Sequence, residues 1–507
     1  MPSLMKRRSV ALLLSASLAC LPISVQAQSA SSPAIAALPG KPVLLMGSYD
    51  LGSMAYQVDE FTAAGKATRY ALRRPATIDG KLDAVTDGTA DYATRYVVIR
   101  PSEPKKFNGT VLVEWLNVTA GQDTPADWMV AHREILRRGF AYVAVSAQKV
   151  GIEPGASVMG MGLPLKKANP ARYGSLSHPG DAFSYDIFSQ AGRALKAKGS
   201  NGLLGNLLPR RVIGIGESQS AAYLVTYANA VDPLAKVYDG YLVHSRFGSG
   251  SSLSNNRGID SKAAPNPQYD MPAHMRFRSD MRVPLLSLVT ETDLNGSRLT
   301  GYAGSRTPDG KNLRVWELAG AAHADGYLFG GAFMDDGKRS AAELARVFRT
   351  SVNAPGAPSG GLAKPYNSGQ PHHYVLQAAV RGIDSWLRTG KAPSSTPIVA
   401  TKPDGEKWAF VTDANGIAKG GVRTPWTDVP TMRLSGIGND GGFIGMLVGV
   451  GEPFDAARLA ALYPGGKAEY LKRFTTSLDT AIAKGHLLSD DRQEILDIAA
   501  INYQWAN

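Results

Sequence analysis

From residue 109 onward, short and almost wholly apolar runs alternate with longer amphipathic stretches. The runs are 109–117 (GTVLVEWLN), 139–147 (GFAYVAVSA), 212–215 (VIGI), 238–243 (YDGYLV), 283–289 (VPLLSLV) and 313–318 (LRVWEL). Runs this short and this apolar predict strands buried on both faces. Helices are predicted between them, through Trp128 to Arg138, over 181–198 and over 221–228. Strand–helix alternation from 109 to 243 predicts parallel βαβ units, and so an α/β architecture with a mostly parallel sheet flanked by helices. Residues 41–101 are β-rich, with 94–99 (TRYVVI) the clearest strand, and predict antiparallel first strands. A further helix over 373–388 is stopped by Gly390 and Pro393. The C-terminal region 391–507 mixes loops and helices and predicts either a cover over a site or packing on the sheet's edge. No internal repeat is present.

The apolar run 212–215 leads into Gly216-Glu217-Ser218-Gln219-Ser220 and then into the helical stretch beginning at Ala221. A strand, a sharp turn of small residues bearing serine, and a helix form the layout of a nucleophile elbow. Gly216 is the small residue two before the serine; Ser220 stands where a second glycine is usual. Downstream, the run 283–289 ends in Thr290-Glu291-Thr292-Asp293, and 313–318 leads to Ala319-Gly320-Ala321-Ala322-His323-Ala324-Asp325. The chain thus presents serine, strand-end carboxylate and strand-end histidine in the order of an α/β-hydrolase triad. A serine hydroxyl needs an imidazole to take its proton, and the imidazole needs a carboxylate to hold its tautomer. Of the eight histidines, only His323 lies just past a strand downstream of the acid. His372 and His373 open a helix, and His486 follows a helix end at Gly485. Asp293 is the expected acid and Glu291 the alternative; the one not used would cap a turn or bind a loop amide. The oxyanion hole is expected to use the backbone N–H of Gln219 together with that of Asn117 or Val118, in the loop after the 109–117 strand. The segment 247–282 is rich in Gly, Ser, Asn, Pro and Met and lies between the strand after the serine and the strand bearing the acid. It predicts either a cap, with Met271, Met275, Phe277 and Met281 as adaptable apolar surface, or a plain surface loop.

These motifs carry a resemblance. The stretches 113–118 (VEWLNV), 216–221 (GESQSA), 290–293 (TETD) and 316–325 (WELAGAAHAD) are similar to bacterial α/β-hydrolase domain-containing esterases, large and mostly exported proteins. So are 421–426 (GVRTPW), 453–455 (PFD) and 462–464 (LYP). The resemblance implies a serine hydrolase with Ser218, Asp293 (or Glu291) and His323 as its triad, and it implies no particular substrate. The expected reaction is hydrolysis of a small or polymeric carboxylic ester through an acyl-enzyme. A peptidase or lactonase using the same residues, or an inactive binding protein on the same scaffold, is the alternative.

Composition adds the compartment. Apolar residues make up 44% of the 507 and charged residues 19%, a balance that suits a large core and argues against disorder. Lys6-Arg7-Arg8, the apolar stretch 10–21 and Val25-Gln26-Ala27 together form a signal-peptide pattern, 1–27, ahead of a hydrolase domain spanning 28–507. The chain is therefore expected to be exported, to a periplasm or outside the cell. Its apolar stretch is too short to remain as a membrane span. The Arg7-Arg8 pair leaves open a twin-arginine route. The sole cysteine, Cys20, lies in this segment, and Ser17 in place of an aliphatic residue argues against lipidation. The mature chain then has no disulfide and no cysteine metal site. The net charge of +12 is dispersed, which predicts a solvated basic surface and no nucleic-acid partner. Gly436-Ile437-Gly438-Asn439-Asp440-Gly441 spells a dinucleotide fingerprint, but with no helix expected at its third glycine it reads as a flexible loop. No cofactor or metal is expected.

Overall fold

The apolar runs assemble into one nine-stranded sheet. The structure, a computed structural model, describes residues 32–155, 162–254, 266–296, 299–349, 362–440 and 442–505. The signal-peptide pattern with Cys20 lies outside them, as do residues 255–265 of the 247–282 segment. The strands are β1 (Ala34–Ala37), β2 (Tyr56–Leu72), β3 (Ala84–Pro101), β4 (Thr110–Trp115), β5 (Ala141–Val145), β6 (Arg211–Glu217), β7 (Gly240–His244), β8 (Leu285–Thr290) and β9 (Leu313–Leu318). Their order is β1-β2-β3-β5-β4-β6-β7-β8-β9. The first strands pair antiparallel, and every pairing from β5 to β9 is parallel. The β-rich segment before residue 101 is chiefly one long hairpin, β2 on β3, whose length the sequence did not announce.

The parallel strands are continuous apolar runs because both faces are covered. All residues of β4, β5, β7 and β8 are buried. Side chains alternate between two cores, as period-2 geometry requires. Leu112 and Leu116 join Trp128 of α1 (Ala126–Arg137) on one face. Val111 and Val113 join Phe188 of α2 (Ser184–Lys196) and Leu224 of α3 (Gln219–Thr226) on the other. The acid-bearing strand β8 runs into the short α4 (Glu291–Asn295). On the α1 face lies α5 (Gln370–Thr389), the helix expected over 373–388.

The C-terminal region packs on the α1 and α5 helix layer and also reaches the site. Helices α7 (Gly466–Ala483) and α8 (Arg492–Trp505) add Phe474, Leu478, Ile495 and Ile498 to the α1 and α5 core. They are clamped there by Arg133–Glu494, Arg137–Asp491 and Arg381–Asp490 ion pairs at 2.6–2.7 Å. Ahead of them α6 (Gly442–Val448) reaches the site cavity. The glycine fingerprint at 436–441 therefore needs correction, since a helix does open immediately after it. The strand before it, Met432–Ser435, pairs antiparallel with Val450–Pro453 and belongs to no βαβ unit. Gly436 is not a free loop residue either, because its N–H donates to Glu291 Oε2 at 2.9 Å.

Candidate active site

β6 ends at Glu217 and α3 begins at Gln219, leaving Ser218 as the whole turn. Its backbone sits at φ 58°, ψ −115°, a sparsely populated region for a residue with a Cβ. Two bonds hold it there: Ser218 N–H donates to His244 O at 3.0 Å, and Ala222 N–H donates to Ser218 O at 3.1 Å. The need for small neighbours is visible in the packing. A Cβ on Gly216 would lie 3.1 Å from both Ser220 Cβ and Leu224 Cδ1. Ser220 is fully buried at this crossing, where a larger side chain would push α3 off the sheet.

The structure brings Ser218, His323 and Asp293 into one hydrogen-bonded line. Ser218 Oγ is 2.8 Å from His323 Nε2, and His323 Nδ1 is 2.6 Å from Asp293 Oδ1. The other oxygen of Asp293 accepts the N–H (2.7 Å) and hydroxyl (2.9 Å) of Thr290, the N-cap of α4. Glu291 points elsewhere. Its carboxylate accepts from Gly320 N–H at 2.6 Å, Ser435 Oγ at 2.9 Å and Gly436 N–H, and so ties the loop bearing His323 to the C-terminal region. Asp325 does not touch the His323 ring; it accepts from Leu328 N–H and meets His372 Nδ1 at 2.8 Å.

Glu217 stands in the elbow sequence directly before Ser218, and its side chain enters the site. Glu217 Oε1 lies 3.2 Å from His323 Nε2, and Oε2 accepts from Asn117 Nδ2 at 3.1 Å. Burial pushes the Glu217 carboxyl up to about 7, against the attraction of His323 and with the help of Asp127 and Asp293. Burial pulls His323 down, but Asp293 and Glu217 outweigh it and the net direction is up.

The three expected oxyanion donors differ in what they are free to do. Asn117 N–H is committed to Thr124 O at 3.0 Å, so the Asn117 amide closes the loop and its side chain orients Glu217. Val118 N–H donates to Gln219 Oε1 at 3.2 Å, and Gln219 lines the site cavity. Gln219 is the first residue of α3, a position whose N–H has no partner within the helix. The loop carrying Val118 is anchored below by Asp123, which bonds Arg95 at 2.9 Å and Ser146 Oγ at 2.5 Å in full burial.

A cavity of about 610 Å³ opens over Ser218 and His323. The 247–282 segment supplies Phe247, Ser249–Ser252, Asp270 and Met271 to its wall. Met275, Phe277 and Met281, expected as adaptable site surface, are buried instead in the core on the α2 and α3 face of the sheet. Much of the apolar wall comes from beyond the histidine: Leu328, Phe329 and Phe333, then Phe443, Ile444 and Leu447 on α6. Leu447 O accepts the N–H of Ala324, next to His323. Among the described residues, no lysine or arginine lines the cavity.

This geometry sits at the C-terminal ends of β6, β8 and β9, and the sequence comparison agrees with it. Residues 22–497 match the model of an α/β-hydrolase domain family. The chain belongs to that α/β-hydrolase family. No curated protein sequence matches it. Among solved structures, this hydrolase is similar to a putative dienelactone hydrolase from Klebsiella pneumoniae, at 11% identity and TM-score 0.29, over 54% of this chain and 92% of that one. It is also similar to a glucuronoyl esterase from Solibacter usitatus, at 12% identity and TM-score 0.30, over 56% and 80%. A third, the cell wall degrading esterase LipA from Xanthomonas oryzae, gives 15%, TM-score 0.22, 38% and 42%.

Proposed function

We propose that this α/β-hydrolase cleaves carboxylic esters through an acyl-enzyme on Ser218. The observation that carries the reading is Ser218 Oγ at 2.8 Å from His323 Nε2, with the far ring nitrogen on buried Asp293. In the first half-reaction Ser218 Oγ bonds the ester carbonyl carbon as its proton passes to His323 Nε2. Asp293 holds the Nδ1 proton and stabilises the imidazolium. The oxyanion takes the N–H groups of Gln219 and Val118, displacing the Gln219 side-chain oxygen that occupies the second donor. Collapse expels the alcohol, which receives the proton from His323. Water then repeats the sequence, with His323 again as base, and releases the acid. Negative charge on Glu217 favours the imidazolium formed in each half-reaction.

The substrate class follows from the wall. A cavity of about 610 Å³ is ample for a drug-sized group. Its aromatic and aliphatic lining favours burial of an apolar acyl or alcohol group, at about 25 cal/mol per Å² removed from water. Asp270, and Glu217 when ionised, give it an acidic character, with no lysine or arginine among the described lining residues, which disfavours anionic substrates. The expected substrates are uncharged esters with one bulky apolar part. The pattern at residues 6–27 supports an exported enzyme with a mature domain of 28–507. Among the described residues, no helix is long and apolar enough to cross a membrane.

A panel of aryl esters graded in acyl length, with matched amides and lactones, tests this. Burst release of the alcohol from apolar esters, with amides turned over far more slowly, is expected. Faster turnover of amides or lactones than of every ester would replace ester hydrolysis with peptidase or lactonase chemistry.

A further inference from the structure

Beneath the triad lies a second line of titratable groups that the proposed reaction does not use. Asp127 Oδ1 is 2.8 Å from His244 Nδ1, His244 Nε2 is 2.6 Å from His372 Nε2, and His372 Nδ1 is 2.8 Å from Asp325 Oδ2. All four side chains are at most 3% exposed. They come from four places in the fold: α1, the end of β7, α5, and the loop that bears His323.

The proton count of this line is set by its geometry. Its three contacts need one proton each, and four groups sharing three protons carry a net charge of −1. The ends are not equivalent. Asp325 accepts a second bond from Leu328 N–H at 3.0 Å, as suits an ionised carboxylate. Asp127 Oδ2 has no hydrogen-bond partner and is buried, which an ionised oxygen would tolerate poorly. The proton therefore belongs on Asp127. All three bonds then run one way: Asp127 O–H to His244 Nδ1, His244 Nε2–H to His372 Nε2, and His372 Nδ1–H to Asp325.

Each link holds a part of the site. The backbone carbonyl of His244 accepts Ser218 N–H. Asp325 ends the His323 loop. Asp127 opens the helix that follows the loop of Val118. We infer that Asp127, His244, His372 and Asp325 form one proton-ordered chain that positions the His323 loop against the Ser218 turn. They are positioning residues, acting through the groups that touch substrate, and their role rests on the reading of Ser218 and His323 above.

The titratable groups facing the chain are Glu114 of β4, Tyr142 of β5, Glu217 of β6, Asp293 of α4, His323, and His373 of α5. Burial pushes Glu114 well up. Burial pushes Asp127 up to about 8, opposed by His372, and burial drives His244 well down; both directions keep the proton on Asp127. When Asp127 ionises as pH rises, two protons remain for three contacts. One bond must then open: either Asp127 faces a bare Nδ1, or the two Nε2 lone pairs face each other.

Nitrogen-15 NMR of the histidine-labelled full-length protein tests the chain without reference to catalysis. His244 should carry its proton on Nε2 and His372 on Nδ1, opposite tautomers, and Ser218→Ala should leave both unchanged. The same tautomer on both rings, or a doubly protonated ring at neutral pH, would overturn the proposal while leaving the hydrolase reading intact. In kinetics, Asp127→Ala should lower kcat for a short ester by roughly 10–100-fold with little change in KM, the scale of a small misplacement of reacting groups. Asp127→Asn offers an amide N–H where the carboxyl O–H stood. Opening of a bond on ionisation of Asp127 should give the wild type an alkaline fall in kcat; Asp127→Asn should restore most of the loss and lack that fall. A folded Asp127→Ala protein with full kcat, or an Asp127→Asn protein with an unchanged alkaline limb, would refute it. Loss of activity in Ser218→Ala but not in Asp127→Ala would separate failure of the chain from failure of the ester-hydrolase reading.

Discussion

Asp293→Asn probes the site with almost no change in shape, and the structure says which way the new amide must sit. One oxygen of Asp293 accepts two donors from Thr290, N–H at 2.7 Å and the hydroxyl at 2.9 Å. The amide oxygen has to take that place, because turning the amide over would set its NH₂ against a fixed backbone N–H. The NH₂ then faces His323 Nδ1, now 2.6 Å from Asp293 Oδ1. His323 can accept that bond only with its proton moved to Nε2, and Nε2–H toward Ser218 cannot receive the serine proton. The wrong tautomer in this geometry lowers kcat by about 10⁴-fold, or about 5 kcal/mol of barrier. Burst kinetics on an aryl acetate should show the acylation step slowed with KM little altered. Glu291→Gln is the contrast. Its amide keeps one acceptor oxygen, best placed for Ser435 and Gly436, and turns an NH₂ toward the Gly320 N–H, so it should lower stability by about 1–3 kcal/mol and spare most of kcat. A folded Asp293→Asn protein retaining more than about a tenth of wild-type kcat would refute the tautomer argument, and a larger loss in Glu291→Gln would move the acid there.

Other perturbations follow from the same geometry. Glu217→Gln removes a negative charge 3.2 Å from His323 Nε2; the imidazolium loses support, so the acid limb of kcat/KM should move to lower pH, and a limb that moved up would contradict the pairing. Leu447→Trp should narrow the cavity and lower kcat/KM for long acyl esters by roughly 10–200-fold while sparing the acetyl ester; an unchanged long-to-short ratio would remove α6 from the acyl pocket. Asp123→Ala strands the fully buried Arg95 beside Glu60 alone and should destabilise the fold by about 3–5 kcal/mol in denaturant melts; a loss below about 1 kcal/mol would show that Arg95 is not held by this pair.

What the sequence revealed was whatever has a local signature. The parallel strands were legible because burial on both faces writes a continuous apolar run, as in Val111–Val113 and Leu285–Val289. The elbow was legible because its crowding restricts Gly216 and Ser220 to small residues. What stayed hidden depends on contacts between distant segments. Met275, Phe277 and Met281 look like loop surface in sequence and are core side chains, since nothing local says which distant segments bury them. The helix after Gly441 was missed because α6 is short and glycine-rich at its start. His244 and His372 lie 128 residues apart, and neither carries a mark of the other. Only a strand-end histidine in an apolar run hinted at His244, and Glu217, a carboxylate closing the apolar β6, hinted in the same way at its entry into the site.

The central claim is that Ser218 is the residue acylated during turnover. The direct measurement is intact-protein and peptide mass spectrometry after a rapid quench with a slowly deacylating aryl ester. The account expects one acyl adduct per chain, on the peptide containing Ser218. It expects the adduct to be absent in Ser218→Ala, and to form in Ser220→Ala. An adduct persisting on another residue in the folded Ser218→Ala protein, or turnover of the ester without Ser218, would contradict it.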